Sequence, residues 1–232
     1  MEGFPLQMLV KLVFPMLDDP VNVVRIEAAR VLAPVPAGQL KGEQLATYNS
    51  AVEEYLESQL VNADRPQAQL NLGNYYLAKQ DVQKAEAAYT QAITLESAFT
   101  PAYINLADLY RAQGKEKEAE VLLQRAIATV PVDASAHYSL GLLLVRKQKT
   151  DDAIEMLERA VELDKDNVQY VYVYAIALNS SGKVKRAIEV LHEAHLRYPG
   201  NTDILTALVT FNRDSGNDFA AQHYMKKLEM LR

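Results

Sequence analysis

The residues of this chain best equipped for chemistry are few. His192 and His195 stand three apart, a spacing that sets two imidazoles on one helical face, with Glu189 and Glu193 within a turn. Two ring nitrogens and a carboxylate are a ligand set for a metal such as zinc. No third ligand recurs in a pattern around them, so they read as surface histidines on a convex helix. Asp151-Asp152 and Asp164-Lys165-Asp166 suggest paired acids or calcium ligands. The glycine and distal glutamate of a calcium loop are missing, and these acids fall at helix starts and turns, where Asp caps helices. Ser180-Ser181-Gly182 lacks the following Lys-Ser/Thr of a phosphate loop. With no cysteine, disulfides, thiolate metal sites, cysteine nucleophiles and the Cys-x-x-Cys-His haem motif are excluded within this sequence. The expectation is a non-enzymatic chain with no catalytic, cofactor-binding or metal-binding residues.

Composition supports an ordered helical protein: hydrophobic residues make up 49% of the 232, with 9 Gly and 9 Pro. The 24 basic against 30 acidic residues leave a net charge of −6, which argues against a general binder of nucleic acid or anionic membrane. The opening run from Met1 to Leu17 superficially resembles a targeting sequence, but it has no basic start, Lys11 and Pro15 interrupt it, and Asp18-Asp19-Pro20 replaces a small-residue cleavage site. No stretch reaches the roughly 18 apolar residues of a membrane span.

The elements that must position any functional group come from a repeat. Ala85, Ala119, Ala153, Ala187 and Ala221 follow one another at 34-residue intervals, and Ala92, Ala126, Ala160 and Ala194 run beside them. That period is one helix–turn–helix unit, which cannot bury its apolar face alone and must stack on its neighbours. Units start at Pro66, Thr100, Ala134 and Val168 without insertion. Gly73, Ala107, Gly141 and Ala175 let the two helices of a unit approach, and Tyr76, Tyr110, Leu144 and Leu178, three residues on, fill the space beside the contact. Gly114 and Gly182 suit the turn between helices, and Pro131 and Pro199 stop the second helix.

These residues and this spacing resemble the tetratricopeptide repeat family over residues 66–199. The resemblance implies an all-α, right-handed superhelical α-solenoid. Four units (66–99, 100–133, 134–167, 168–201) fill 66–201. Residues 202–232 form a degenerate fifth, with Val209 and Asn212 at the small and large positions and a capping helix from Phe219 to Arg232. Subtracting the period lands on Ala51, Tyr55 and Ser58, so residues 42–65 read as a half repeat in register. Before it, residues 1–41 read as a helical pair, Leu6 to Leu17 and Val21 to Leu32. Its Leu17-Asp18-Asp19-Pro20, Val24-Arg25 and Ala28-Ala29 resemble a HEAT-type repeat. A lone pair suggests an array that continues beyond the sequence. This segment with Glu54-Tyr55 and Asn62-Ala63-Asp64-Arg65-Pro66 is similar to the C-terminal HEAT and tetratricopeptide region of bacterial multihaem c-type cytochromes. That likeness implies a periplasmic location and haem motifs upstream; without it the expectation is cytoplasmic.

The tetratricopeptide resemblance further implies that first helices line the concave face. The expected partner-binding residues are Leu70, Asn71, Asn74, Ile104, Asn105, Asp108, Arg111, Tyr138, Leu142, Arg146, Tyr172, Ile176 and Asn179. Amides can hold an extended peptide backbone, Tyr offers rigid contact area with a polar tip, and Leu or Ile form shallow apolar pockets. An alternative is that Tyr138, Leu142, Tyr172 and Ile176 pack only against adjacent helices. Chaperone-binding relatives grip a C-terminal carboxylate with basic residues; Asn74 and Asn105 match the amide positions, but Leu70, Ser135 and Ser139 replace the cations. The expected role is a protein-interaction scaffold holding a protein or peptide segment, as a monomer or weak dimer and as one module of a longer protein. Its alternative is a structural arm of a redox enzyme.

Overall fold

In the computed structural model, which describes residues 6–231, every regular element is helical. Met1 to Pro5, where the targeting-like run begins, and Arg232 lie outside the described residues. The chain divides into two compact units, Met1–Lys115 and Glu116–Arg232. The first holds α1 (Leu6–Val13), α2 (Asn22–Val31), α3 (Glu43–Val61), α4 (Pro66–Ala78), α5 (Val82–Leu95) and α6 (Thr100–Ala112). The second holds α7 (Glu116–Thr129), α8 (Ala134–Arg146), α9 (Thr150–Leu163), α10 (Val168–Ser180), α11 (Val184–Arg197), α12 (Thr202–Asp214) and α13 (Asp218–Glu229).

The opening helix is shorter than the sequence suggests. It ends at Val13 and tightens into a 3-10 turn over Phe14–Asp18, because Pro15 has no N–H for the α-helical ladder. The turn delivers Leu17 into a core with Ala28 and Ala29 of α2, Leu32 just after it, and Tyr48, Ala51 and Tyr55 of α3. Asp19 Oδ1 accepts the Val21 N–H at 2.8 Å and so orders the entry to α2. Arg25 then joins α2 to α3: its Nε and Nη2 donate to the Glu54 carboxylate at 3.1 and 2.7 Å, while Nη1 donates to the Asp19 carbonyl at 2.8 Å. A forked guanidinium–carboxylate pair fixes direction as well as distance, which suits a junction between two helices.

The alanine ladder is a packing device. Ala51, Ala85, Ala92, Ala119, Ala126, Ala153, Ala160, Ala187, Ala194 and Ala221 are all at most 4% exposed. A methyl group at each lets a neighbouring helix sit close, which larger side chains would prevent. In the degenerate fifth hairpin the positions that continue the Gly73 and Tyr76 columns stay buried despite their changed residues: Val209 and Asn212 are 4% and 2% exposed. Asn212 tolerates burial because its amide donates to the Leu208 carbonyl at 2.7 Å. The last helix closes with Glu229, short of the expected Arg232.

The turn inside each hairpin is left-handed at five positions 34 residues apart, Gln80, Gly114, Gln148, Gly182 and Gly216, with φ from 59° to 80°. Gly114 and Gly182 are the turn glycines expected from the sequence and Gly216 keeps their register; the glutamines occupy the same conformation at a cost a Cβ imposes and glycine does not. Replacing Gln80 or Gln148 by Gly is therefore expected to raise stability by roughly 0.5–1 kcal/mol, a gain of a few degrees in thermal midpoint. Circular dichroism melting of each variant checks this, and a lowered midpoint contradicts it.

Candidate partner-binding face

In the Met1–Lys115 unit the first-helix face is a row of amides already bonded to one another. Asn74 Oδ1 accepts from Tyr89 Oη and from Asn105 Nδ2, each at 2.8 Å, so the expected pair from α4 and α6 is brought together. Asn71 donates to Gln59 Oε1 at 2.9 Å and accepts from Gln67 at 3.0 Å, while Tyr55 Oη donates to its carbonyl at 3.0 Å. Asp108 and Arg111 pair at 3.1 Å on α6, and Ile104 is partly buried beside them in sequence. Leu70 is corrected: at 8% exposure it belongs to the interior of the hairpin and offers nothing to a ligand.

In the Glu116–Arg232 unit the corresponding face is aromatic and aliphatic. Tyr138 of α8 stacks on Tyr170 of α10, with ring centroids 4.5 Å apart and planes inclined by 30°. Gln169 donates to the Tyr138 hydroxyl at 3.3 Å. Tyr138 and Tyr172 pack against the core of the unit while keeping part of their surface exposed. Leu142 and Ile176 are 38% and 37% exposed, so they are not core residues. Arg146 is exposed at the end of α8 and Asn179 partly buried near the end of α10. Tyr170 stands at the third place of its unit, outside the positions expected to form the face.

The polar clusters singled out for chemistry have structural roles. His195 is 3% exposed rather than a surface residue, and its Nε2 lies 2.9 Å from the Lys227 ammonium. An ammonium there repels a metal cation, and His192 Nδ1 is engaged by Tyr224 Oη at 2.8 Å. Asp151 and Asp152 lie in the first turn of α9. The cap before α10 is Asn167, which accepts the Tyr170 N–H at 3.3 Å; Asp166 instead accepts from the Tyr198 hydroxyl. Glu120 is held by Lys147 and, at 3.0 Å, by Lys149; these hydrogen bonds, Lys147 first, lower its pKa.

Helical hairpins repeating every 34 residues, small residues at each close contact and first helices carrying exposed amides and aromatics define a stacked-hairpin repeat protein. Over residues 45–143 these hairpins match tetratricopeptide repeat models, one at 45–101 and one at 76–143. A model of anaphase-promoting complex (cyclosome) subunit 3 matches residues 112–194. Among solved structures, MamA is 22% identical over 69% of this chain and 94% of its own, with a TM-score of 0.60. YrrB, described as a TPR protein with an unusual peptide-binding site, is 21% identical over 76% and 91%, with a TM-score of 0.58. A tetratricopeptide repeat protein from Parabacteroides merdae ATCC 43184 is 16% identical over 97% and 79%, with a TM-score of 0.56. At such identities the likeness shows the fold. No curated protein matches. Among the described residues no helix is long and apolar enough to cross a membrane.

Proposed function

We propose that this chain is a non-catalytic scaffold that holds a segment of a partner protein against its first-helix faces. The carrying observation is the exposure of Leu142, one turn past Tyr138 on α8, and of Ile176, one turn past Tyr172 on α10, on the two helices that the stacked Tyr138–Tyr170 pair joins. Rigid aromatic area next to half-exposed aliphatic side chains is the composition of a contact hot spot. The matched repeat type and the peptide-binding site in the description of YrrB support the reading. Tyr138 and Tyr172 are anchored in the core, so alanine there mixes lost binding with lost packing. Leu142→Glu with Ile176→Glu is the cleaner test, since both sites already meet water. A photocrosslinker at Val145, which is 46% exposed on α8, is expected to capture a defined partner that the double variant loses more than tenfold, with an unchanged melting midpoint. Equal capture by both proteins overturns the reading.

A second reading, a structural arm packing on further domains of its own protein, is supported by an apolar hollow of about 320 Å³ between Met16, Val23, Val24 and Val31. Met16 and Val23 are 48% and 60% exposed there. A photocrosslinker at Val23 distinguishes the two, because an arm gives crosslinks within one polypeptide and a scaffold gives crosslinks to a second protein.

A further inference from the structure

Lys79 caps the end of α4, yet its side chain turns back across the Met1–Lys115 unit. Its Nζ donates to Tyr48 Oη of α3 at 2.7 Å and to the Val35 carbonyl, after α2, at 3.4 Å. The ring centroids of Tyr48 and Tyr75 stand 5.0 and 5.8 Å from it. Ring faces within about 6 Å attract an ammonium, but less strongly than a carboxylate does. Among the described residues Lys79 forms no ion pair; what faces its amine is phenols, ring faces and a carbonyl. Tyr48 supplies no phenolate, because burial, then Tyr75, pushes its pKa up to about 12. An ammonium carries three N–H donors and a neutral amine two. Two acceptors are present, so the site satisfies the neutral amine and leaves the ammonium with a donor unmatched by protein at a partly buried position. Burial accordingly lowers the Lys79 pKa. Lys84, at the start of α5, has the opposite setting: its side chain is 65% exposed, and its Nζ lies 3.0 Å from the Asp81 carboxylate, whose hydrogen bond raises its pKa.

We propose that Lys79 is a modification site, at which the amine takes an acyl group from a small acyl phosphate, and that acylation unties α4 from the backbone after α2. A lysine becomes a nucleophile at neutral pH when its surroundings favour the free amine, and the surroundings of Lys79 match that form donor for acceptor. Its two N–H groups keep Tyr48 and Val35, and the lone pair takes the direction of the unmatched donor. In the step Nζ attacks the acyl carbon: an N–C bond forms, the C–O bond to phosphate breaks, and phosphate leaves with the electron pair. Of the three protons on the starting ammonium, one stays in the amide, one ends on phosphate and one goes to solvent. A small donor suits a side chain that is only partly exposed. The product nitrogen has one N–H and no charge, so it no longer holds both Tyr48 Oη and the Val35 carbonyl.

Trace labelling of the full chain with acetyl phosphate at pH 7, read lysine by lysine by mass spectrometry, tests the site. Lys79 is expected to react about fivefold or more faster than Lys84, although Lys84 is the more exposed, because the fraction present as free amine outweighs access. In unfolding urea the two are expected to label within about twofold of each other, since the folded surroundings that set them apart are gone. Lys79→Gln, which like the acylated side chain ends in an uncharged amide, is expected to speed exchange of the Val35 amide, bonded to the Leu32 carbonyl at 2.9 Å, by about threefold or more while exchange in α12 stays unchanged. Labelling of Lys79 no faster than that of Lys84, or a preference that persists in urea, overturns the modification site. Unchanged Val35 exchange in Lys79→Gln overturns the untying. Labelling reads the unaltered chain, so its result does not depend on how the variant folds.

Discussion

Gly73→Ala is expected to destabilise the α4–α5 hairpin by about 1–3 kcal/mol, although alanine is the better helix former. A Cβ built at Gly73 would stand 2.3 and 2.5 Å from two ring carbons of Tyr89, well inside van der Waals contact. The ring cannot swing away easily: Tyr89 is fully buried and its hydroxyl is tied to Asn74 at 2.8 Å. The helix-propensity gain of Gly→Ala, about 1 kcal/mol, is smaller than the cost of displacing a clamped aromatic ring. Gly141 faces Leu157, whose side-chain carbons would be 2.7 and 2.8 Å from an added Cβ. The nearer of the two is Cγ, so Leu157 must shift as a whole, but at the same register Ala175 and Leu191 are both buried in one core, so the pairing of alanine with leucine is packable and Gly141→Ala is the milder change. In a Tyr89→Leu background Gly73→Ala should become neutral or stabilising. Thermal melts of the four-member mutant cycle, with amide exchange locating the loss in α4 and α5, measure the coupling. Stabilisation by Gly73→Ala in the otherwise unchanged chain contradicts the argument.

The same pair shows how far the sequence speaks. A column of small residues at Gly73, Ala107, Gly141 and Ala175 is visible as periodicity, and so are the buried alanines, because packing distance between helices depends on residue size at fixed intervals. Which member must be glycine depends on the facing residue sixteen positions on, tyrosine at 89 but leucine at 157, and only geometry reveals that pairing. Gln80 and Gln148 hid two left-handed turns behind an unexceptional residue type. Leu70 fell at a face position by count and turned inward in fact, because the face is narrower than the list of positions that point toward it. Tyr170 lay inside the repeat at a position the count discards.

The histidine cluster predicts a pH dependence whose sign follows from burial. His195 on α11 is nearly inaccessible, its Nε2 is 2.9 Å from the Lys227 ammonium on α13, and its ring meets Tyr224 edge-on at 5.6 Å. A nitrogen accepting a hydrogen bond from an ammonium must itself be unprotonated. Burial, then Lys227, then His192 and His223 lower its pKa from 6.5, so it is neutral at pH 7. Because the folded value is depressed, the unfolded chain binds the proton more readily. Stability is therefore fully present above about pH 6.5 and is lost as pH falls through the lower folded value. The loss concentrates where imidazolium would face ammonium, at the α11–α13 contact. Amide exchange in α13, corrected for its chemical pH dependence, is expected to accelerate between pH 7 and pH 5 in the unaltered protein. His195→Gln keeps a hydrogen-bond acceptor for Lys227 and removes the titration, so most of that acceleration should vanish. Because His192, His223 and every carboxylate remain in both proteins, the difference between them isolates His195. An identical pH response in the two would show that the buried imidazole is not the group that loosens the last helix.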